Sequence, residues 1–219
     1  SDWTLWHAYA VSFDRPYDLG DGAGQFFFAD HDFTTFAESQ GYDIDYLADV
    51  DIDVDPRQLA GRRLIVIQGH DEYWTADERT ATNAAVAAGT NLVVFGANDL
   101  YWQVRYAPSA AGKARRVLVG YKEFVALDPA QTSDPTHVTG RWRDLGQAEN
   151  ALFGVMFGDW LWSAAPMVVS DPSSWMWSGA AMAPGASLPG LCGFEVDHRY
   201  ANGNEPGGLV ESGRCLGEN

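Results

Sequence analysis

Arg63–Trp74 reads RLIVIQGHDEYW, and the fold turns on how that stretch is read. Leu64, Ile65, Val66 and Ile67 form an unbroken apolar run, the pattern of a strand buried on both faces beneath helices. The run ends at Gly69 and delivers His70, Asp71, Glu72 and Tyr73, polar groups that burial alone does not call for. Thr75-Ala-Asp-Glu78 follows, with the spacing of a capping box, and opens an alanine-rich helix that ends near Gly89. An imidazole and two carboxylates therefore sit between a buried strand and a helix N-terminus. In open α/β sheets this carboxyl end of the strands is where ligands bind.

Working outward, the same unit recurs. Trp3–Val11 is aromatic and β-branched, a first strand leading into SFDRPY and the glycine-rich LGDGAG, which place Asp14, Arg15 and Tyr17 on a loop. Phe26–Gln40 carries apolar residues at helical spacing and stops at Gly41. Tyr42–Asp49 alternates like a second strand, leaving Tyr46 and Asp49 near its carboxyl end, and Asp53–Leu59 is a short connection. Thr90–Asn98 is a fourth strand, again apolar, ending at Asn98 and Asp99. Units of about 25–30 residues with short connections predict an α/β fold with a parallel, doubly wound, flavodoxin-like sheet over residues 1–106. Residues 107–219 read as additional β-strands and long loops packed on that core as part of one domain. Lys113–Asp128 is one long strand or hairpin arm, and Met167–Val169 and Leu191–Val196 are shorter strands.

Composition narrows the function. Apolar content of 46% with 13% aromatic is globular, and no apolar run reaches membrane-spanning length. A formal net charge of −16 argues against nucleic-acid and anionic-membrane partners, which need basic clusters. The chain opens in SDWTLW without methionine, the expectation for a fragment or processed form. Cys192 and Cys215 leave two readings open, a disulfide in an oxidising compartment or two buried thiols. No GxSxG elbow, P-loop, GxGxxG or HExxH stretch occurs. Each polar strand-end residue taken alone is a plausible cap, turn former or ion-pair partner; convergence of several on one sheet edge is what points to a hydrolytic or metal site.

The ordered motifs SFDRPY, GYDIDYLADVD, GHDEYW and FGANDLYWQVR resemble the C-terminal domain of the N,N-dimethylformamidase large-subunit family. VGYKEF, the Trp142 region and LPGLCGFEVD continue the resemblance over nearly the whole chain. It implies a glutamine-amidotransferase-like fold without the cysteine nucleophile, and a mononuclear iron site held by two tyrosinates and a glutamate. Carried onto this sequence, Glu72 is the carboxylate ligand, and Tyr17 and Tyr46 the phenolates, with Tyr42 the alternative to Tyr46. His70, Asn98 and Glu195 are the neighbouring catalytic groups. A hard Fe³⁺ ion holds a phenol of pKa about 10 in its ionised form. The implied activity is hydrolysis of the C–N bond of a small-molecule amide, within a larger protein of further domains or subunits. The alternatives are a non-catalytic module binding a small molecule or carbohydrate on some of nine tryptophans, or a structural domain of a larger secreted protein.

Overall fold

The computed structural model describes residues 7–16 and 22–216. The chain divides into two compact units, Ser1–Ala148 and Glu149–Asn219.

In the first unit the apolar run behaves as its composition dictates. Strand β2 (Leu64–Gly69) pairs in parallel with β4 (Asn91–Gly96), in unbroken register from Leu64 opposite Asn91 to Gly69 opposite Gly96. Between them runs helix α3 (Ala76–Ala87). Both bonds of its capping box form: Thr75 Oγ1 accepts from Glu78 N–H, and a Glu78 carboxylate oxygen accepts from Thr75 N–H, each at 3.2 Å. Ala81 and Ala85 bury against Leu59, Ile52 and Ile65, so one face of β2 packs on α3 and on helix α2 (Asp49–Val54). Helix α1 (His31–Ser39) follows a wider helical turn at Phe26–Asp30 and ends before Gly41, at φ +76°.

A second sheet of the unit has the order β1 (Ala10–Ser12), β6 (Val117–Val119), β5 (Trp102–Ala107), β3 (Tyr73–Thr75), with β7 (Gly140–Arg141) also on β5. Only β3 and β5 pair in parallel there; β1, β6 and β7 pair antiparallel. The architecture is thus mixed α/β with several small sheets, rather than the single doubly wound sheet expected. Two features account for the difference. Tyr42–Asp49, read as a strand, is irregular up to Ala48, and α2 begins at Asp49; its acidic residues leave it solvated rather than paired. Trp102–Ala107, beyond the last strand expected of the parallel core, is a strand with Trp102 and Val104 buried. Within Lys113–Asp128, only Val117–Val119 is strand, and Lys122–Leu127 forms tight helical turns.

The second unit is built on β9 (Ala165–Val169), flanked antiparallel by β10 (Ser187–Cys192) and β12 (Gly213–Cys215). β8 (Met156–Trp160) and β11 (Glu195–His198) form a separate antiparallel pair. Leu161, Ala165 and Cys192 make a small core with Met167 and Val196. A Cys192–Cys215 disulfide ties β10 to β12 across β9 and decides between the two cysteine readings; such a bond persists in oxidising compartments. Among the described residues no helix is long and apolar enough to cross a membrane.

Candidate functional site

Because β2 and β4 run level, the turns that leave them lie side by side, and the chain stitches one to the other. Asp71 N–H donates to Asp99 Oδ1 at 2.9 Å, and Leu100 N–H donates to the Asp71 carbonyl at 2.8 Å. The Tyr101 and Trp102 N–H groups both donate to the Glu72 carbonyl, at 3.0 and 2.7 Å. Glycine is required beneath this seam. A Cβ on Gly96 would lie 2.4 Å from the Gly69 carbonyl oxygen and 2.7 Å from an Asp99 carboxylate oxygen. Asn98 (φ +64°) and Leu100 (φ +56°) both occupy the left-handed region, and Leu100 is fully buried. For leucine that conformation costs about 1–2 kcal/mol and persists only where surrounding bonds over-determine it, as they do here.

The turns present His70 and Glu72, with an imidazole nitrogen and a carboxylate oxygen within 4.8 Å of each other. His70 is exposed and Glu72 half-buried. Residues from the first helical turn pack beneath them: the Gln68 side-chain amide donates to the Ala29 carbonyl at 2.8 Å. Burial raises the Asp30 carboxyl pKa, and the nearby His70 charge partly offsets that rise. Asn98 is buried, at the start of the second turn.

Asp71 faces other carboxyls. Asp49, Asp71 and Glu78 bring carboxylate oxygens within 4.8 Å of one another. Burial, reinforced by Asp49 and Asp71, pushes the Glu78 carboxyl up to about 10. Burial also raises Asp71 well above the usual carboxylate range, with Asp49 and Asp99 adding to it and a hydrogen bond from Trp74 opposing it. Asp49 is raised chiefly by burial. Tyr106, half-buried nearby, is raised by burial and by the same carboxylates. At neutral pH this interior cluster holds protons rather than a full set of negative charges.

Of the residues singled out in the sequence, His70 and Glu72 come together and Asn98 occupies the adjoining turn. Tyr17 lies outside the described residues. Tyr46 is 59% exposed, and its hydroxyl donates to a Glu38 carboxylate oxygen at 2.8 Å. That bond, with burial and the Glu38 charge, raises the phenol pKa, the direction opposite to what a phenolate ligand requires. Tyr42, the alternative, is also exposed. Glu195 belongs to the second unit, on β11 opposite Trp160, whose indole N–H donates to it at 3.2 Å. Asp14 pairs with Arg116 at 2.6 Å. Sequence reasoning missed the structural parts of Asp99 and Asp30. Asp99 had a signal, a carboxylate beside Asn98 at a strand end; Asp30, inside a helical stretch, had none.

Fold and turns together define an α/β protein that carries its polar groups at the carboxyl ends of adjacent parallel strands, the usual ligand-binding edge of such folds. The chain belongs to the N,N-dimethylformamidase beta subunit-like, C-terminal family, whose pattern matches residues 2–215. No curated protein matches it.

Proposed function

We propose that this chain is the metal-dependent, amide-hydrolysing domain of a larger multidomain or multisubunit enzyme. The observation that carries the reading is the His70–Glu72 pair on the turn that leaves β2, stitched to the turn after β4 in which Asn98 and Leu100 are left-handed. The family's name, which refers to a dimethylformamidase beta subunit, supports both the reaction class and the larger assembly.

The donor set fits a metal. A carboxylate oxygen and an imidazole nitrogen within 4.8 Å of each other are close enough for small side-chain rotations to bring both onto one ion, since bonds of about 2.0–2.2 Å separate two ligand atoms by at most about 4.4 Å. Glu72 and His70 would hold it, with Tyr17 supplying the phenolate that Tyr46, engaged with Glu38, does not offer. A trivalent iron held there would supply Lewis-acid polarisation of the amide carbonyl and a lowered pKa for water. Asn98 would orient the carbonyl through its side-chain amide, the role that the resemblance of FGAN implies. The resemblance of GFEVD likewise implies a general acid–base role for Glu195.

The test is metal content and the visible spectrum of protein purified without chelator. Stoichiometric iron with a tyrosinate-to-iron charge-transfer band, lost in Glu72→Ala, is the expected result. Colourless, metal-free protein that gains nothing from added iron overturns it. A second reading, a carbohydrate-binding module, is favoured by the open faces of Trp162 and Trp175, 92% and 81% exposed. Oligosaccharide-dependent quenching of tryptophan fluorescence in iron-free protein would give it first place.

A further inference from the structure

The stretch VGYKEF takes no part in the site described above, yet it carries an unusual cation. The chain has 14 basic residues, and only Lys113 and Lys122 are lysines. Lys113 is exposed, whereas Lys122 is part-buried. Its ammonium donates to the Tyr73 hydroxyl at 2.8 Å and lies 4.8 Å from the centre of the Tyr73 ring and 5.5 Å from that of Trp102. Among the described residues no carboxylate pairs with it, although seven arginines of this acidic chain have such partners.

The donor count makes the pair more than a cation stacked on rings. An ammonium has three N–H donors, and one is spent on Tyr73. The Tyr73 oxygen accepts that bond, so its own O–H remains to be donated. Two ammonium hydrogens and one phenol hydrogen thus project from one point beside a positive charge. The backbone supports the arrangement. Lys122 has φ +54°, a left-handed conformation that lysine adopts at a cost, and Tyr121 N–H is anchored to Thr139 Oγ1 at 2.8 Å. β3 and β5 fix Tyr73 and Trp102 as direct neighbours in parallel register, so both rings present the same face to the lysine.

We propose that Lys122 and Tyr73 form a binding site for a carboxylate group of a small-molecule ligand. Two oxygens of a carboxylate match the ammonium and phenol donors, and the charge-assisted bonds supply the affinity. The Trp102 indole, 6% exposed, closes the floor beneath the ammonium and keeps it from free solvation. The site stands on its own geometry and holds whichever way the iron experiment falls.

The chain's two lysines make the test direct. Protein labelled with ¹³C-lysine gives two ε-methylene signals, assigned by Lys113→Met. Acetate and benzoate are titrated at constant ionic strength, with acetamide and benzamide as neutral counterparts. Saturable movement of the Lys122 signal with the carboxylates, and not with the amides, is expected. Tyr73→Phe keeps the ring and removes the hydroxyl, and is expected to weaken the response about tenfold, the loss of one charge-assisted hydrogen bond. A Lys122 signal that stays still, or that moves linearly alongside Lys113, overturns the proposal. The wild-type titration decides, and the one variant it needs, Lys113→Met, changes an exposed residue and serves only to assign the two signals.

Discussion

At Gly96 a methyl group has nowhere to go: the carbonyl oxygen of Gly69 stands 2.4 Å from where it would be, and that oxygen belongs to the neighbouring parallel strand. Gly96→Ala is therefore expected to destabilise the first unit by about 1–3 kcal/mol, by forcing β2 and β4 apart. Urea denaturation checks it, and an unchanged midpoint would show that the strands yield freely. The same scale separates what His70 and Glu72 do from what Asp71 does. His70 and Asp71 are successive residues on one turn, yet one is exposed and the other meets Asp49 and Glu78. In the sequence GHDEYW, His70, Asp71 and Glu72 are three equivalent polar residues; only the direction of each side chain distinguishes them. Tyr46 shows the limit from the other side. A tyrosine near a predicted strand end looks available as a ligand, but its hydroxyl is committed to Glu38 in the preceding helix.

Among the elements, α3 and the disulfide-bonded strands carry the most local definition. The Thr75–Glu78 box satisfies two otherwise orphan N–H groups, so Thr75→Ala is expected to cost about 1 kcal/mol, seen as a lower thermal midpoint. Reduction of Cys192–Cys215 is expected to lower the stability of the second unit by about 2–4 kcal/mol, since the bridge closes a loop spanning 23 residues. Protease susceptibility of the β10–β12 region with and without reductant reads this directly, and equal cleavage rates would refute it. α3, β2 and β4 were legible because their signals are short-ranged: an apolar run, a capping box, a glycine stop. β3 and β5 were not, because each is stabilised by the other, across more than two dozen residues, and neither has a pattern of its own. Tyr42–Asp49 failed in reverse: its alternation suggested a strand, but no neighbouring strand pairs with it among the described residues.

For the whole molecule, pH dependence follows from two opposed carboxyls. Glu78 is raised from 4.5 to about 10. A raised acid stabilises the fold fully below its unfolded value, and that contribution is lost as pH rises through the folded value. Stability is thus expected to fall between about pH 4.5 and about pH 10, and Glu78→Gln to flatten that slope. Asp128 does the opposite. Burial works against its charge, but Arg105 at 2.7 Å, the Ala130 N–H and Thr139 together hold it at about 2. Its contribution is present above the ordinary value of 3.8 and lost as pH falls toward about 2. Chemical denaturation across this range checks both signs; a Glu78→Gln variant with the wild-type slope would discount the interior cluster.

What the sequence determined by itself was local: the buried run at Leu64–Ile67, the helix that follows it, the polar turn between them, and membership of a family through motifs spread along the chain. Composition also settled the acidic charge balance. The tertiary structure alone decided which carboxyls crowd one another and are raised by burial, which tyrosine is spoken for, that the two cysteines pair, and that among the described residues no carboxylate pairs with Lys122. The physical reason is one of range. Strand, cap and turn preferences act between residues a few positions apart, whereas the state of an ionisable group depends on whatever the fold carries to within a few ångströms of it.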